Sequence, residues 1–185
     1  IYEKSNFKLE FYLSKNLVLT GMMGVGKSTI GRSLARALSY SFVDVDNLIE
    51  KKEGCSINLI FKNKNEKYFR KLENEISLNE LEKKSSVISL GGGAFLDNSI
   101  RRAVKNTSIS FWLDVEISEI VKRLKNSQKR PLLLDGNLNE TVNKIYMKRK
   151  KSYSEADFRI KCSFLKPDVI VKKILEIYEK TRSKI

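Results

Sequence analysis

The chain has 185 residues, 41% of them hydrophobic and 31% charged, and its 36 Lys and Arg against 22 Asp and Glu give a net charge of +14. That length suits one domain with a substantial core, and no apolar run approaches the roughly 20 residues that span a bilayer. There is no histidine and there are only two cysteines, Cys55 and Cys162, which excludes Ser-His triads and most zinc sites and leaves a carboxylate as the expected proton acceptor.

Residues 1–15 alternate loosely through Phe7, Leu9, Phe11 and Leu13 and mix charges with aromatics, unlike a secretory signal; they are read as an N-terminal extension without an assigned role. The stretch NLVLTGMMGVGKS follows at 16–28. A short apolar strand, Leu17-Val18-Leu19, runs into Gly21, then four residues, then Gly26-Lys27-Ser28, which is the phosphate-cradling loop pattern in the context it requires. The glycines let successive backbone N–H groups turn inward onto a polyphosphate. A helix from Lys27 to about Leu38, with Ile30 and Leu34 on one face, adds the positive end of its dipole. Lys27 is placed to reach the terminal phosphates and the Ser28 hydroxyl to ligate magnesium.

A strand over 41–46 ends in two carboxylates, and alternation sends Asp44 and Asp46 to one side. Beside a phosphate loop, such groups stand where ligands gather in open α/β sheets, one able to hold hydrated magnesium and the other a substrate hydroxyl. The competing reading makes Asp46 a helix N-cap before Leu48-Ile49. A helix over 65–84 carries Phe69, Leu72 and Ile76 at helical spacing. Arg70 and Glu73, three apart on it, read equally as a surface ion pair or as an arginine braced to grip a carboxylate.

The strand 86–90 opens into Gly91-Gly92-Gly93, a place for close backbone approach to a ligand or for a tight turn. A strand over 109–113 and a helix over 115–125 follow. The polar segment after them holds Arg130-Pro131, with Arg123 seven residues before Arg130, as a lid over a transferring phosphoryl group would. A helix over 137–155 carries Lys148-Arg149-Lys150-Lys151, which by spacing alone is a solvated face. A strand at 158–161 and a helix from Pro167 close the chain. Strands alternating with helices predict an α/β three-layer sandwich on a parallel sheet.

Together these motifs resemble shikimate kinase, from residue 16 to the C-terminus. The resemblance rests on GMMGVGKST from Gly21, the Asp44-x-Asp46 pair, FRKLE from Phe69, LGGGA from Leu90, RPLL from Arg130 and Arg149-x-x-x-Tyr153. It implies a P-loop, nucleoside-monophosphate-kinase-like fold with a five-stranded parallel sheet, one domain over 16–185 and a mobile lid at about 126–136. The implied reaction moves the ATP γ-phosphoryl group to the 3-hydroxyl of shikimate in the chorismate pathway. By position, Gly24, Val25, Gly26, Lys27, Ser28 and Thr29 hold the phosphates, with Ser28 and Asp44 at Mg2+. Asp46 meets the shikimate hydroxyls as the implied proton acceptor, and Arg70 and Arg149 grip the carboxylate over Gly91, Gly92 and Gly93. Arg130 comes onto the phosphates with the lid, while Arg123 and the Lys166-Pro167 region flank the adenine. The family's Gly-Glu before the FR pair is Asn65-Glu66 here, so that turn is open to differ.

The expectation is a cytoplasmic monomer that takes ATP, Mg2+ and a small anionic substrate, with no membrane or nucleic-acid partner. Two alternatives stand beside it: a P-loop kinase of another hydroxylated acid such as gluconate, and a basic nucleotide-binding protein for nucleic acid. The lysines are scattered without a basic tail, which favours a solvated surface over a nucleic-acid face.

Overall fold

The computed structural model describes residues 15–125 and 137–182. Five strands, β1 (Asn16–Thr20), β2 (Ser41–Asp44), β3 (Ser86–Ser89), β4 (Ser108–Asp114) and β5 (Phe158–Lys161), form one sheet in the order β2-β3-β1-β4-β5. All four pairings are parallel, so every strand delivers its carboxyl end to the same rim. The central strands β1, β3 and β4 read as nearly continuous apolar or small residues because helices cover both of their faces.

The helices are α1 (Lys27–Leu38), α2 (Val45–Glu53), α3 (Ile57–Glu82), α4 (Asn98–Thr107), α5 (Ile117–Lys125), α6 (Leu138–Tyr153) and α7 (Pro167–Arg182), with a 3-10 turn at Ala94–Leu96. Helix α1 packs on β3 and α7, α3 on α2 and α4, and α5 on α6. The core runs through Leu17, Leu19, Ile30, Leu34, Ile88, Phe111 and Leu113, all 2% exposed or less. The buried side chain of Asn16 ties three elements together. Its amide donates to Leu81 O at 3.2 Å and Lys83 O at 2.6 Å, and its Oδ1 accepts from Ser86 N at 3.0 Å.

Most predicted elements lie within two residues of their places, with two informative departures. The second strand stops at Asp44, not Asp46, because the chain turns at once into α2. Asp44 is the N-cap, accepting from Asn47 N at 3.3 Å, and Asp46 sits in the first turn. The helix α3 extends back to Ile57 and is broken at Asn65, whose φ of 70° and ψ of 170° fall in a region that essentially only glycine occupies without strain. Asn65 Oδ1 accepts from Tyr68 N at 3.1 Å and so caps the second half of the helix. The chain thus accepts strain at the position where the resembled family carries glycine. The N-terminal extension up to residue 14 and the lid at 126–136 lie outside the described residues.

Asn65→Gly exchanges an Asn cap for a Gly cap, a loss of a few tenths of a kcal/mol, and removes backbone strain of about 1–3 kcal/mol. A net stabilisation of about 1 kcal/mol is expected in urea unfolding, whereas Asn65→Ala keeps the strain, loses the cap and destabilises. Both cysteines are free thiols. Burial pushes Cys162 up to about 12, so alkylation at pH 8 followed by peptide mapping is expected to label the half-buried Cys55 and spare Cys162.

Candidate active site

The segments that follow β1, β2 and β3 meet at the carboxyl rim of the sheet. The first follows β1. Gly21 lies so close to β4 that a Cβ there would stand 2.6 Å from Leu113 O, and its φ of 135° adds a second reason for glycine. Gly26, at φ 95°, ends the loop as the N-cap of α1. The 9%-exposed Lys27 folds back so that Nζ donates to Gly21 O and Met22 O, each at 2.9 Å. These carbonyls hold the ammonium at the mouth of its own loop. Ser28 Oγ donates to Asp44 Oδ2 at 2.5 Å, which joins the phosphate loop to the end of β2. Asp44 therefore caps α2 with one oxygen and meets Ser28 with the other.

Charged side chains gather on Gly91-Gly92-Gly93, which follow β3. A Cβ on Gly91 would stand 2.3 Å from Glu73 Oε1 and 2.8 Å from Asp46 Oδ1. One on Gly92 would stand 3.2 Å from Arg149 Nη1 and 3.4 Å from Met23 N, and one on Gly93 would stand 2.4 Å from Arg70 Nη1. Close approach is thus the reason for all three glycines. Arg149 is buried, and its Nη1 donates to Gly92 O at 2.8 Å beside the Tyr153 hydroxyl, which donates to the same oxygen at 2.5 Å. The solvated-face reading of Arg149 is overturned: the neighbouring Lys148, Lys150 and Lys151 are exposed, while Arg149 points inward.

Arg70 Nη1 donates to Glu73 Oε2 at 2.7 Å, and its Nε and Nη2 reach Glu66 Oε1 at 3.2 and 3.0 Å. The even choice over Arg70 resolves toward a braced arginine, because the Glu73 side chain is 3% exposed, far from an ordinary surface pair. Burial pushes the Glu73 carboxyl above the usual glutamate range, with Asp46 adding to the rise and Arg70 and Arg149 opposing it. A cavity of about 60 Å3 is lined by Asp46, Arg70, Glu73, Gly92, Gly93 and Arg149, with Met23, Ile57, Phe61 and Phe69 as its apolar wall. A wider cleft of about 580 Å3 opens on the other side of Arg70 and Arg149. Asp46 lines the smaller space and not the wider cleft.

Arg123 stands on the opposite flank of the phosphate loop, its Nη1 donating to Gly24 O at 3.2 Å. Arg130 lies outside the described residues. The structure therefore brings together Lys27, Ser28 and Asp44, and beside them Asp46, Arg70 and Arg149 on the three glycines. Sequence reasoning gave no role to Glu66, which shares Arg70 with Glu73, or to the apolar wall. The i, i+4 spacing of Glu66 and Arg70 was a usable signal.

A parallel sheet with a phosphate loop after its central strand, and a pocket of two guanidinia and two carboxylates beside it, is the arrangement of a P-loop small-molecule kinase of the nucleoside-monophosphate-kinase-like fold. The Shikimate kinase family profile matches residues 23–179. The chain is 40% identical over 161 residues to the shikimate kinase of Persephonella marina, covering 87% of this chain and 97% of that relative. The solved structure of a shikimate kinase from Acinetobacter baumannii in complex with shikimate superposes at a TM-score of 0.87 and 30% identity, covering 90% of this chain and 94% of that one. The chain belongs to the shikimate kinase family. A gluconokinase from Sinorhizobium meliloti, covering 92% of this chain and 94% of its own, reaches a TM-score of 0.56 at 14% identity, a likeness of fold alone.

Gly91→Ala would drive a methyl group into two carboxylates, one of them buried and ion-paired. Overpacking of this kind costs about 1–3 kcal/mol, and urea unfolding of the variant is expected to show a loss of that size.

Proposed function

We propose that this chain transfers the γ-phosphoryl group of ATP to the 3-hydroxyl of shikimate, releasing ADP and shikimate 3-phosphate. The observation that carries the reading is the contact at Gly92, where Arg149 Nη1 and the phosphate-loop Met23 N would both lie within 3.4 Å of a single added Cβ. An anion held by Arg149 is thereby set against the phosphate loop, which is the end-to-end placement that phosphoryl transfer needs.

In this account the shikimate carboxylate takes the remaining donors of Arg70 and Arg149, whose planar forks suit it. Asp46 accepts a hydrogen bond from the attacking hydroxyl and then its proton. The hydroxyl oxygen bonds to the γ-phosphorus as the bond to the β-phosphate oxygen breaks, leaving ADP. Lys27 exchanges its carbonyl partners for the β- and γ-phosphate oxygens, with the 24–29 loop supplying backbone N–H groups. Ser28 and Asp44 offer one hydroxyl and one carboxylate, the small protein donor set that magnesium takes when phosphates and water complete its shell. A magnesium ion there would neutralise charge between the phosphates. Arg130 is assigned to the phosphates on sequence alone. The loose transition state asks for positioning and charge more than for a strong base, so a site without histidine suffices.

The same reading makes the chain one domain over 16–185 and a monomeric, cytoplasmic enzyme of chorismate synthesis. Among the described residues no helix is long and apolar enough to cross a membrane.

A coupled assay is expected to show ADP release that depends on shikimate, and release with gluconate in its place would refute the reading. Arg149→Ala is expected to raise the shikimate KM about 10–100-fold with the ATP KM nearly constant, while Lys27→Ala loses about 100-fold or more in turnover.

A further inference from the structure

The turn after β5 holds a contradiction that the reaction chemistry leaves unused. Leu165 N donates to Cys162 O at 3.2 Å, closing a four-residue turn whose third residue is Phe164. That position has φ 60°, where glycine or asparagine is the ordinary occupant. A phenylalanine there is strained, and at 77% exposure it is also the most exposed large apolar side chain among the described residues. Strain and exposure thus meet on one side chain, and backbone strain of this kind is concentrated at functional sites.

The turn is held from outside. Glu119, whose side chain is only 14% exposed, accepts from Phe164 N with Oε2 at 2.9 Å, and its Oε1 pairs with Arg123 Nη2. Ser163 Oγ also accepts from Glu116 N at 2.9 Å, fixing the turn on the start of α5. Arg123 in turn reaches Gly24 O of the phosphate loop. Ser118, Glu119, Lys122, Arg123 and Phe164 line one open cleft of about 480 Å3. Two of its walls, a guanidinium and a phenyl ring, are groups that stack on planar heteroaromatic rings.

We propose that Glu119 is a positioning residue for the base end of the nucleotide, one carboxylate fixing both the Arg123 guanidinium and the strained Phe164 turn as walls of a single nucleobase slot. The inference rests on the nucleotide reading above and adds Phe164 as the stacking surface. Glu119 touches no reacting atom; it acts through its two partners. An i, i+4 pair on an exposed helix face would hold Arg123 only weakly, whereas this carboxylate is shielded and anchors a second element.

The test is equilibrium binding of ADP and of inorganic pyrophosphate to the full chain, because pyrophosphate fills the phosphate loop and leaves the base slot empty. Glu119→Ala is expected to weaken ADP about 10-fold, the size of one base stack, and pyrophosphate less than about 2-fold, with Glu119→Gln restoring part of the loss. Phe164→Gly removes ring and strain together, so it is expected to raise the melting temperature while weakening ADP to a similar extent. Equal losses for ADP and pyrophosphate in Glu119→Ala, or unchanged ADP binding in folded Phe164→Gly, would overturn the proposal. Neither measurement uses shikimate, so a wild-type chain without shikimate-dependent turnover would sink the reaction reading and leave this test standing.

Discussion

Buried charge held against bare backbone is the constraint from which the rest of this molecule follows. Glu73 and Arg149 are both nearly inaccessible, and Arg70 is partly so. A charge taken out of water is tolerated only when paired and hydrogen-bonded, and removing one partner of such a pair typically costs about 3–5 kcal/mol. The pairing here works because the chain just after β3 runs through three residues without side chains, Gly91 to Gly93, so that carboxylates and guanidinia close on the chain itself. The Gly92 carbonyl, with two donors on it, is where this cluster is anchored.

The sheet order explains why the cluster meets a phosphate loop. With β1 central and β3 beside it, the loops after both strands open on the same rim, in the crevice where ligands bind in open α/β sheets. Arg149 arrives from α6 on the far side of the chain. The phosphate loop keeps its lysine on its own carbonyls, a partner set that polyphosphate oxygens can replace with stronger, charge-assisted bonds. Asp44 shows the economy of the arrangement, since one carboxylate caps α2 and faces Ser28. The base-side cleft follows the same logic, with Glu119 spending its two oxygens on two separate elements.

What the sequence made legible divides along physical lines. The strands and the phosphate loop were readable because apolar runs and Gly-x4-Gly-Lys-Ser are local patterns with few other uses. The helix α4 went unread, although Asp97 caps it and Ile100 and Val104 mark its buried face, because the glycines just before it dominated the reading of that stretch. Arg149 illustrates the limit. Within KRKK no periodicity separates the one inward residue from three exposed neighbours; only the fold, or the resemblance carried by Tyr153 four residues on, does so. Asp46 was misplaced on a strand because alternation and helix onset give the same residue pattern over two positions. Phe164 carried no signal at all, since a positive φ at a bulky residue is invisible until the turn is seen.

The central claim is that one small anion is gripped by Arg70 and Arg149 with its hydroxyl edge turned to Asp46 and the phosphate loop. A crystal structure with shikimate and ADP bound tests it most directly. The account predicts both guanidinia within hydrogen-bond distance of the same shikimate carboxylate and Asp46 on a ring hydroxyl facing the β-phosphate of ADP. A shikimate seated in the wider cleft outside Arg70, or a carboxylate held by neither arginine, would contradict it.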